Sequence, residues 1–309
     1  MAPLCNMQMC LLPSDMKQQS FPTNAPLCML YTLVRIVFTS VCCILMCGLA
    51  SPTKAAIHAR AAILLNMDTG QVLFAKNPNL SIPPASLTKV MTMFLTMDMI
   101  RAKKLNIAKK VRITKSVASV RGSSMHLRAG ERVAVSQLLT GAAVASGNDA
   151  ATALARCVSG NDRRFVRAMN QKARSLGMHR TVFKNPTGLP AAGQKTTASD
   201  MAILARAYLK THPQAQSFHS RITFSRHNRT FTNTNTLLRT MHGVNGLKTG
   251  WTVASGYNII VTAKRGNTHL LGVVLGSPTR NARDNTAKRI LEAGFKNKNY
   301  PKKIRQTLR

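Results

Sequence analysis

The stretch from Ser86 to Ile100, SLTKVMTMFLTMDMI, reads as a helix and carries only two charges, Lys89 and Asp98. A helix without a polar face is a buried helix, so the rest of the chain has to cover it on every side. The 309 residues are enough for one large domain or two small ones. Strand-like segments stand at both ends. AAILLNMDTGQVLFAKN (61–77) reads as a hairpin turning at Asp68-Thr69-Gly70. Beyond residue 220 come RITFS, LKTGW, GYNIIVTAKRG and THLLGVVLG. Between these ends, 136–158, 161–176 and 199–210 read as helices, the last with Ser199 as N-cap and Asp200 in its first turn. Residues 281–295 read as a closing helix. No repeat or composition break interrupts 56–295. The pattern predicts one α/β domain whose sheet recruits both ends of the chain.

The net charge is +35, from 44 Lys+Arg against 9 Asp+Glu. Such a balance points to an anionic partner. The basic residues are spread along the whole chain and form no arm or recognition helix. No helix-turn-helix, zinc-finger or RNA-sheet signature is present, so the sequence predicts no nucleic acid as partner. The charge predicts attraction to anionic envelope polymers or to a membrane surface. Six of the seven cysteines precede residue 48, and only Cys157 follows. Residues 31–50, YTLVRIVFTSVCCILMCGLA, hold an apolar run of about 15 residues after Arg35. That is short for a membrane span and suits a signal peptide, with small residues set for cleavage after Ala50. Residues 1–50 are therefore expected to be a leader, signal peptide or anchor, of an exported periplasmic or envelope protein. Translation starting at Met29 would leave a leader of ordinary length. Residues 296–309 read as a basic tail.

Three short motifs carry chemistry. Ser86 and Lys89 have i, i+3 spacing and share a helix face. A serine hydroxyl is a poor nucleophile until a base takes its proton, and a lysine does so once burial lowers its pKa. Alone the pair says little, since S-x-x-K arises by chance about once in such a chain. SGNDA (146–150) sets Ser146 and Asn148 two residues apart around a glycine, able to aim a hydroxyl and an amide into one cleft. GLKTGWT (246–252) places Lys248, Thr249 and Gly250 between strand-like segments. There a cation and a hydroxyl suit a carboxylate, and the glycine admits a substrate backbone. The order S-x-x-K, S-x-N, K-T-G is the serine penicillin-recognising pattern.

The chain resembles the low-molecular-mass penicillin-binding proteins, specifically the serine-type D-alanyl-D-alanine carboxypeptidases of peptidase family S11. The resemblance runs from about Ala56 to Phe295. It includes NPNLSIPPASLTKVMT, GSSMHLRAGERVAVSQLLTGAAVASGNDAATALA, FKNPTGLPAAGQKTTASDMAILARAYL and GVNGLKTGWTVASGYNIIVTAKRG. It implies a β-lactamase/transpeptidase-like fold, an antiparallel sheet packed with helices plus a mainly helical region, as a single catalytic domain over 56–295. It implies that Ser86 attacks the carbonyl between two D-alanines of a peptidoglycan stem peptide and that β-lactams acylate the same serine. Lys89 would be the base and Ser146 a proton relay. Asn148 would hold the substrate backbone, Lys248 shape the electrostatics, and Thr249 bind the terminal carboxylate. The backbone N–H groups of Ser86 and Trp251 would form the oxyanion hole beside Gly250. Arg283 aligns with a family arginine near the carboxylate. No cofactor and no metal is implied. Trp251 stands where some members carry His, and TNTNTLL (232–238) where some relatives have an Arg. The 14 residues after 295 are too few for the β-rich second domain and amphipathic anchor that many members carry.

Two other readings use the same residues. A class A β-lactamase would need a glutamate for the deacylating water. The acidic residues after the leader are Asp68, Asp98, Glu131, Asp149, Asp162, Asp200, Asp284 and Glu292, and none sits in an E-x-x-x-N loop between the second and third motifs. A non-catalytic wall-binding protein would tolerate a damaged motif, and all three motifs are intact. There is no H-E-x-x-H for a zinc peptidase and no G-x-S-x-G for an α/β-hydrolase.

Overall fold

The structure, a computed structural model, describes residues 57–308. The expected leader at 1–50 lies outside the described residues. Strand β1 (Ala61–Asn66) turns through 67–71 into β2 (Val72–Lys76). Strands β7 (Val244–Thr252), β8 (Gly256–Arg265) and β9 (Thr268–Ser277) come from the far end of the chain. Together they form a five-stranded sheet in the order β2-β1-β9-β8-β7, and every neighbouring pair is antiparallel. The sheet thus joins the two strand-rich ends, as the sequence pattern requires.

Its inner strands β1, β9 and β8 are buried on both faces, and side-chain alternation divides them between two cores. Ile63, Leu65, Ile260, Leu271, Val273 and Leu275 join the larger core. Ala62, Leu64, Ile259, Val261, Leu270 and Val274 join the other. The larger core surrounds α1 (Lys89–Arg101), whose Val90, Met91, Met93 and Phe94 are shielded from solvent. Each such side chain contributes roughly 1.5–3 kcal/mol by leaving water. Asp98, the one acidic residue of α1, accepts from Lys172 Nζ at 2.9 Å and faces His212 Nε2 at 2.7 Å. The smaller core is covered by α6 (Arg280–Lys296) and α7 (Pro301–Leu308). The segment read as a basic tail therefore includes a helix that buries Ile304 and Leu308. It escaped sequence reading because Ile304 and Leu308, spaced i, i+4, are its only aliphatic side chains among eight residues.

Three local expectations need correction. The helix read at 86–100 begins as a 3-10 turn, Ala85–Thr88, and becomes α-helical at Lys89. The helix read at 136–158 is two, α2 (Val135–Val144) and α3 (Asn148–Ser159), broken where Ser146 takes φ +56°. The helix read from Ser199 is α5 (Ala198–Thr211), capped by Thr197, whose hydroxyl accepts from the Asp200 amide at 3.0 Å. Helix α4 (Asp162–Ser175) follows the expected break. Two small antiparallel pairs complete the frame: β3 (Lys110–Arg112) with β4 (Arg132–Ala134), joined through 113–131, and the hairpin of β5 (Thr223–Arg226) with β6 (Arg229–Thr232). Among the described residues Cys157 is the one cysteine and is free. No helix among them is long and apolar enough to cross a membrane.

Candidate active site

The 3-10 turn is what brings Ser86 and Lys89 together, because i and i+3 side chains eclipse at three residues per turn. Lys89 Nζ lies 2.9 Å from Ser86 Oγ, 2.7 Å from Asn148 Oδ1 and 2.8 Å from the Thr187 carbonyl. The lysine is wholly buried. Its pKa is held well below the ordinary lysine value, first by burial and then by the Lys248 amine, against a smaller opposing pull from Asp149. A neutral amine has two N–H donors and one lone pair. Asn148 Oδ1 and the Thr187 carbonyl take the two donors. In that neutral form the lone pair is left for the Ser86 hydroxyl to donate to, the polarity that activation of a nucleophile demands; in the charged form Lys89 Nζ donates to Ser86 Oγ instead.

A second lysine–serine pair stands beside the first. Lys248 Nζ donates to Ser146 Oγ at 2.9 Å and to the Thr249 carbonyl at 3.0 Å. Its pKa is pushed down to about 7, by burial first and by the Arg283 charge second. Ser146 occupies the left-handed region between α2 and α3, a conformation that a non-glycine residue adopts at a cost of about 1–3 kcal/mol. The break in the helix is thus what aims this hydroxyl at Lys248. Asn148, the first residue of α3, donates from Nδ2 to the Arg121 carbonyl at 2.7 Å, so both ends of its amide are engaged.

The third segment runs along the edge strand β7. An added Cβ on Gly250 would lie 2.9 Å from the Ser86 amide nitrogen, so only glycine lets β7 pass this close to the nucleophile turn. Gly188 acts likewise from the other side: with φ +84°, its Cβ would fall 1.7 Å from the Ala85 carbonyl oxygen. Thr249 Oγ1 donates to Thr234 Oγ1 at 2.7 Å. Arg283 is buried; its Nε donates to Asp284 Oδ1 at 2.8 Å, and Nη2 lies 2.7 Å from the same oxygen, off the hydrogen-bonding direction. Behind β7, burial pushes the His219 pKa down to about 3 and keeps the ring neutral, and its Nδ1 lies 3.0 Å from the Leu247 carbonyl.

These groups line one cleft of about 180 Å³, formed by Ser86, Ser123, Ser146, Thr234, Thr249, Gly250, Trp251, Tyr257, Arg280 and Arg283. The indole of Trp251 is 54 % exposed and its ring centroid is 5.8 Å from that of Tyr257. Lys89, Asn148 and Lys248 stand behind the lining, tied to it through Ser86 and Ser146. All nine residues singled out by sequence therefore meet here. Sequence reading missed Ser123, Thr234, Tyr257, Arg280 and the Thr187 carbonyl, which belong to no short motif. It also missed the work of Asp149, although that residue sits inside SGNDA. The carboxylate, fully buried, accepts from Ser124 Oγ at 2.6 Å and from the amides of Met125, Leu127 and Ala150 at 3.1, 3.0 and 2.8 Å. Among the described residues no group of His, Cys, Asp and Glu could hold a metal ion.

An antiparallel sheet between two helical layers, with two serine–lysine pairs in one cleft, is the architecture of the penicillin-binding proteins and DD-transpeptidases. Penicillin-binding protein 5 from Haemophilus influenzae superposes with a TM-score of 0.77 at 34 % identity, covering 80 % of this chain and 73 % of that one. The ampicillin-bound penicillin-binding protein D2 from Listeria monocytogenes gives 0.72 at 29 % identity, over 78 % of this chain and 99 % of that one. The chain belongs to the peptidase S11 family, D-alanyl-D-alanine carboxypeptidase, whose pattern matches residues 49–279. Among curated relatives it is 39 % identical over 247 residues to the D-alanyl-D-alanine carboxypeptidase DacF of Bacillus subtilis and 37 % identical to DacC of Escherichia coli. The matched segments are 79 % and 78 % of this chain but only 64 % and 62 % of those two proteins.

Proposed function

We propose that this protein is a serine-type D-alanyl-D-alanine carboxypeptidase of the cell wall, acylated by β-lactams at Ser86. The observation that carries the reading is the wholly buried Lys89 amine, 2.9 Å from Ser86 Oγ, with Asn148 Oδ1 and the Thr187 carbonyl at 2.7 and 2.8 Å as its other two partners. Ser86 Oγ bonds to the carbonyl carbon between the two D-alanines while Lys89 takes its proton. The negative charge on the carbonyl oxygen is met by the Ser86 and Trp251 N–H groups, preorganised donors that gain strength as charge develops. The C–N bond then breaks, and the departing D-alanine nitrogen receives a proton through Ser146. Lys248 supports that transfer: with a pKa of about 7, it exchanges a proton readily at neutral pH. Asn148 holds the peptide backbone. Thr249 and Arg283 take the terminal carboxylate, and Gly250 leaves the room it needs. Water releases the shortened peptide from Ser86. β-Lactams present a comparable carbonyl and carboxylate, and the ampicillin-bound relative supports extending this to the present cleft.

The same reading places the protein outside the cytoplasmic membrane, after export by the leader, in electrostatic contact with anionic envelope polymers. Retention on isolated walls that does not fall with rising salt would count against that contact.

The test uses the full chain, beside Ser86→Ala, with a fluorescent penicillin and with a peptide ending in D-Ala-D-Ala. The expected result is a long-lived label and D-alanine release, both lost in the variant. Rapid loss of label with drug turnover would instead make it a β-lactamase, and no label at all would make it non-catalytic.

A further inference from the structure

One consequence of the Asp149 clamp lies just outside the catalytic cleft. Ser123 lines that cleft, and the next residue, Ser124, lines a second one of about 240 Å³. The second cleft runs between the 124–128 loop and the β5–β6 hairpin. Its side-chain lining is strongly basic, with Arg128, Arg226, Arg229, His126 and His227. Arg226 is the fixed member: its Nη2 pairs with Glu131 Oε2, and its side chain is 8 % exposed. Glu131 offsets that one charge. The guanidinium groups of Arg128 and Arg229 have no carboxylate within ion-pair distance among the described residues, so the cleft keeps two uncompensated charges.

Its walls are also held in place. The Asp149 carboxylate pins Ser124, Met125 and Leu127 from behind. His126 stacks on Phe231 of β6, with ring centroids 5.9 Å apart, which joins loop to hairpin. A fixed cleft with an excess of guanidinium is suited to an oxyanion, because Arg donates paired N–H groups in one plane to carboxylate or phosphate.

We propose that this cleft is a specificity subsite for a carboxylate carried on the acyl side of the substrate, reached by a chain leaving the catalytic cleft over Ser123. The proposal rests on the carboxypeptidase reading. The leaving D-alanine is assigned to Thr249 and Arg283, so the group that extends over Ser123 is the part retained on Ser86.

The test compares two peptides ending in D-Ala-D-Ala. They differ only at the preceding residue, whose side chain ends in a carboxylate or in the matching amide. The full-length enzyme should prefer the acid by about tenfold in kcat/KM, mainly through KM, as one charge-assisted contact warrants. The double variant Arg128→Gln/Arg229→Gln should treat the two alike. Lys103→Gln/Lys104→Gln, an equal charge change on exposed lysines that line neither cleft, should keep the preference. Equal use of both peptides by the wild type, or a preference that survives in the arginine variant, would overturn the subsite. Should neither peptide be cleaved, the carboxypeptidase reading fails instead. The subsite then stands or falls on whether the acid peptide binds more tightly than the amide and loses that advantage in the arginine variant.

Discussion

Replacing Asp149 by asparagine would separate the two tasks of this buried carboxylate. Its Oδ1 accepts from the Met125 and Ala150 amides, and its Oδ2 from Ser124 Oγ and the Leu127 amide. Asparagine keeps the shape but must put an NH₂ at one of those positions. At Oδ1 it would strand two backbone N–H groups. At Oδ2 the Ser124 hydroxyl turns to accept, and only the Leu127 N–H loses its partner, so this orientation wins. A buried donor left unpaired costs about 1–3 kcal/mol. Relief from burying a charge offsets the weakening of the remaining bonds, so a loss of about 2 kcal/mol is expected, or a Tm lower by about 4–8 °C for a domain of this size. The second task is electrostatic. Asp149 raises the Lys89 pKa, so its removal lets that pKa fall further. The neutral amine, the form able to act as base, then persists to lower pH. Labelling rate with a fluorescent penicillin, followed across roughly pH 5–9, should rise at lower pH in the variant than in the wild type. An unchanged Tm would refute the account of the clamp. A rising limb displaced to higher pH would refute the account of the charge.

Lys248 makes folding stability depend on pH. Its folded pKa, about 7, lies below the ordinary 10.5, so between those values the unfolded chain binds more protons than the folded one. Stability from this group therefore rises with pH across that window, and denaturant titrations of Lys248→Met should lack that part of the rise. Gly188→Ala should abolish penicillin labelling, because its Cβ would overlap the Ala85 carbonyl that precedes the nucleophile; normal labelling would mean that the Ala85–Gly188 contact does not shape the turn. Ile304→Ala should cost about 2–5 kcal/mol in denaturant unfolding, since the side chain is fully buried in the smaller core. An unchanged midpoint would mean that α7 is not docked.

The sequence alone determined the parts that depend on local chemistry. The unbroken apolar face of 86–100 demanded burial, and the strand-rich ends demanded a sheet. Three spaced motifs named Ser86, Lys89, Ser146, Asn148, Lys248, Thr249 and Gly250, because nucleophile, base and donor are properties of residue type and near spacing; Trp251 and Arg283 came only from the family resemblance. Tertiary structure decided what those groups can do. Whether Lys89 is neutral depends on burial and on an amine that lies 159 positions away in the chain, at Lys248. The interruption at Ser146 and the helix at 301–308 were invisible for the same reason. A left-handed residue inside an apolar run and a short helix with three cations and few apolar residues are poor local choices, and distant partners compensate them: Lys248 for the first, the second core for the other. Asp149, Thr234 and the Thr187 carbonyl acquire their roles only when loops distant in sequence meet, and no pattern along the chain records such a meeting.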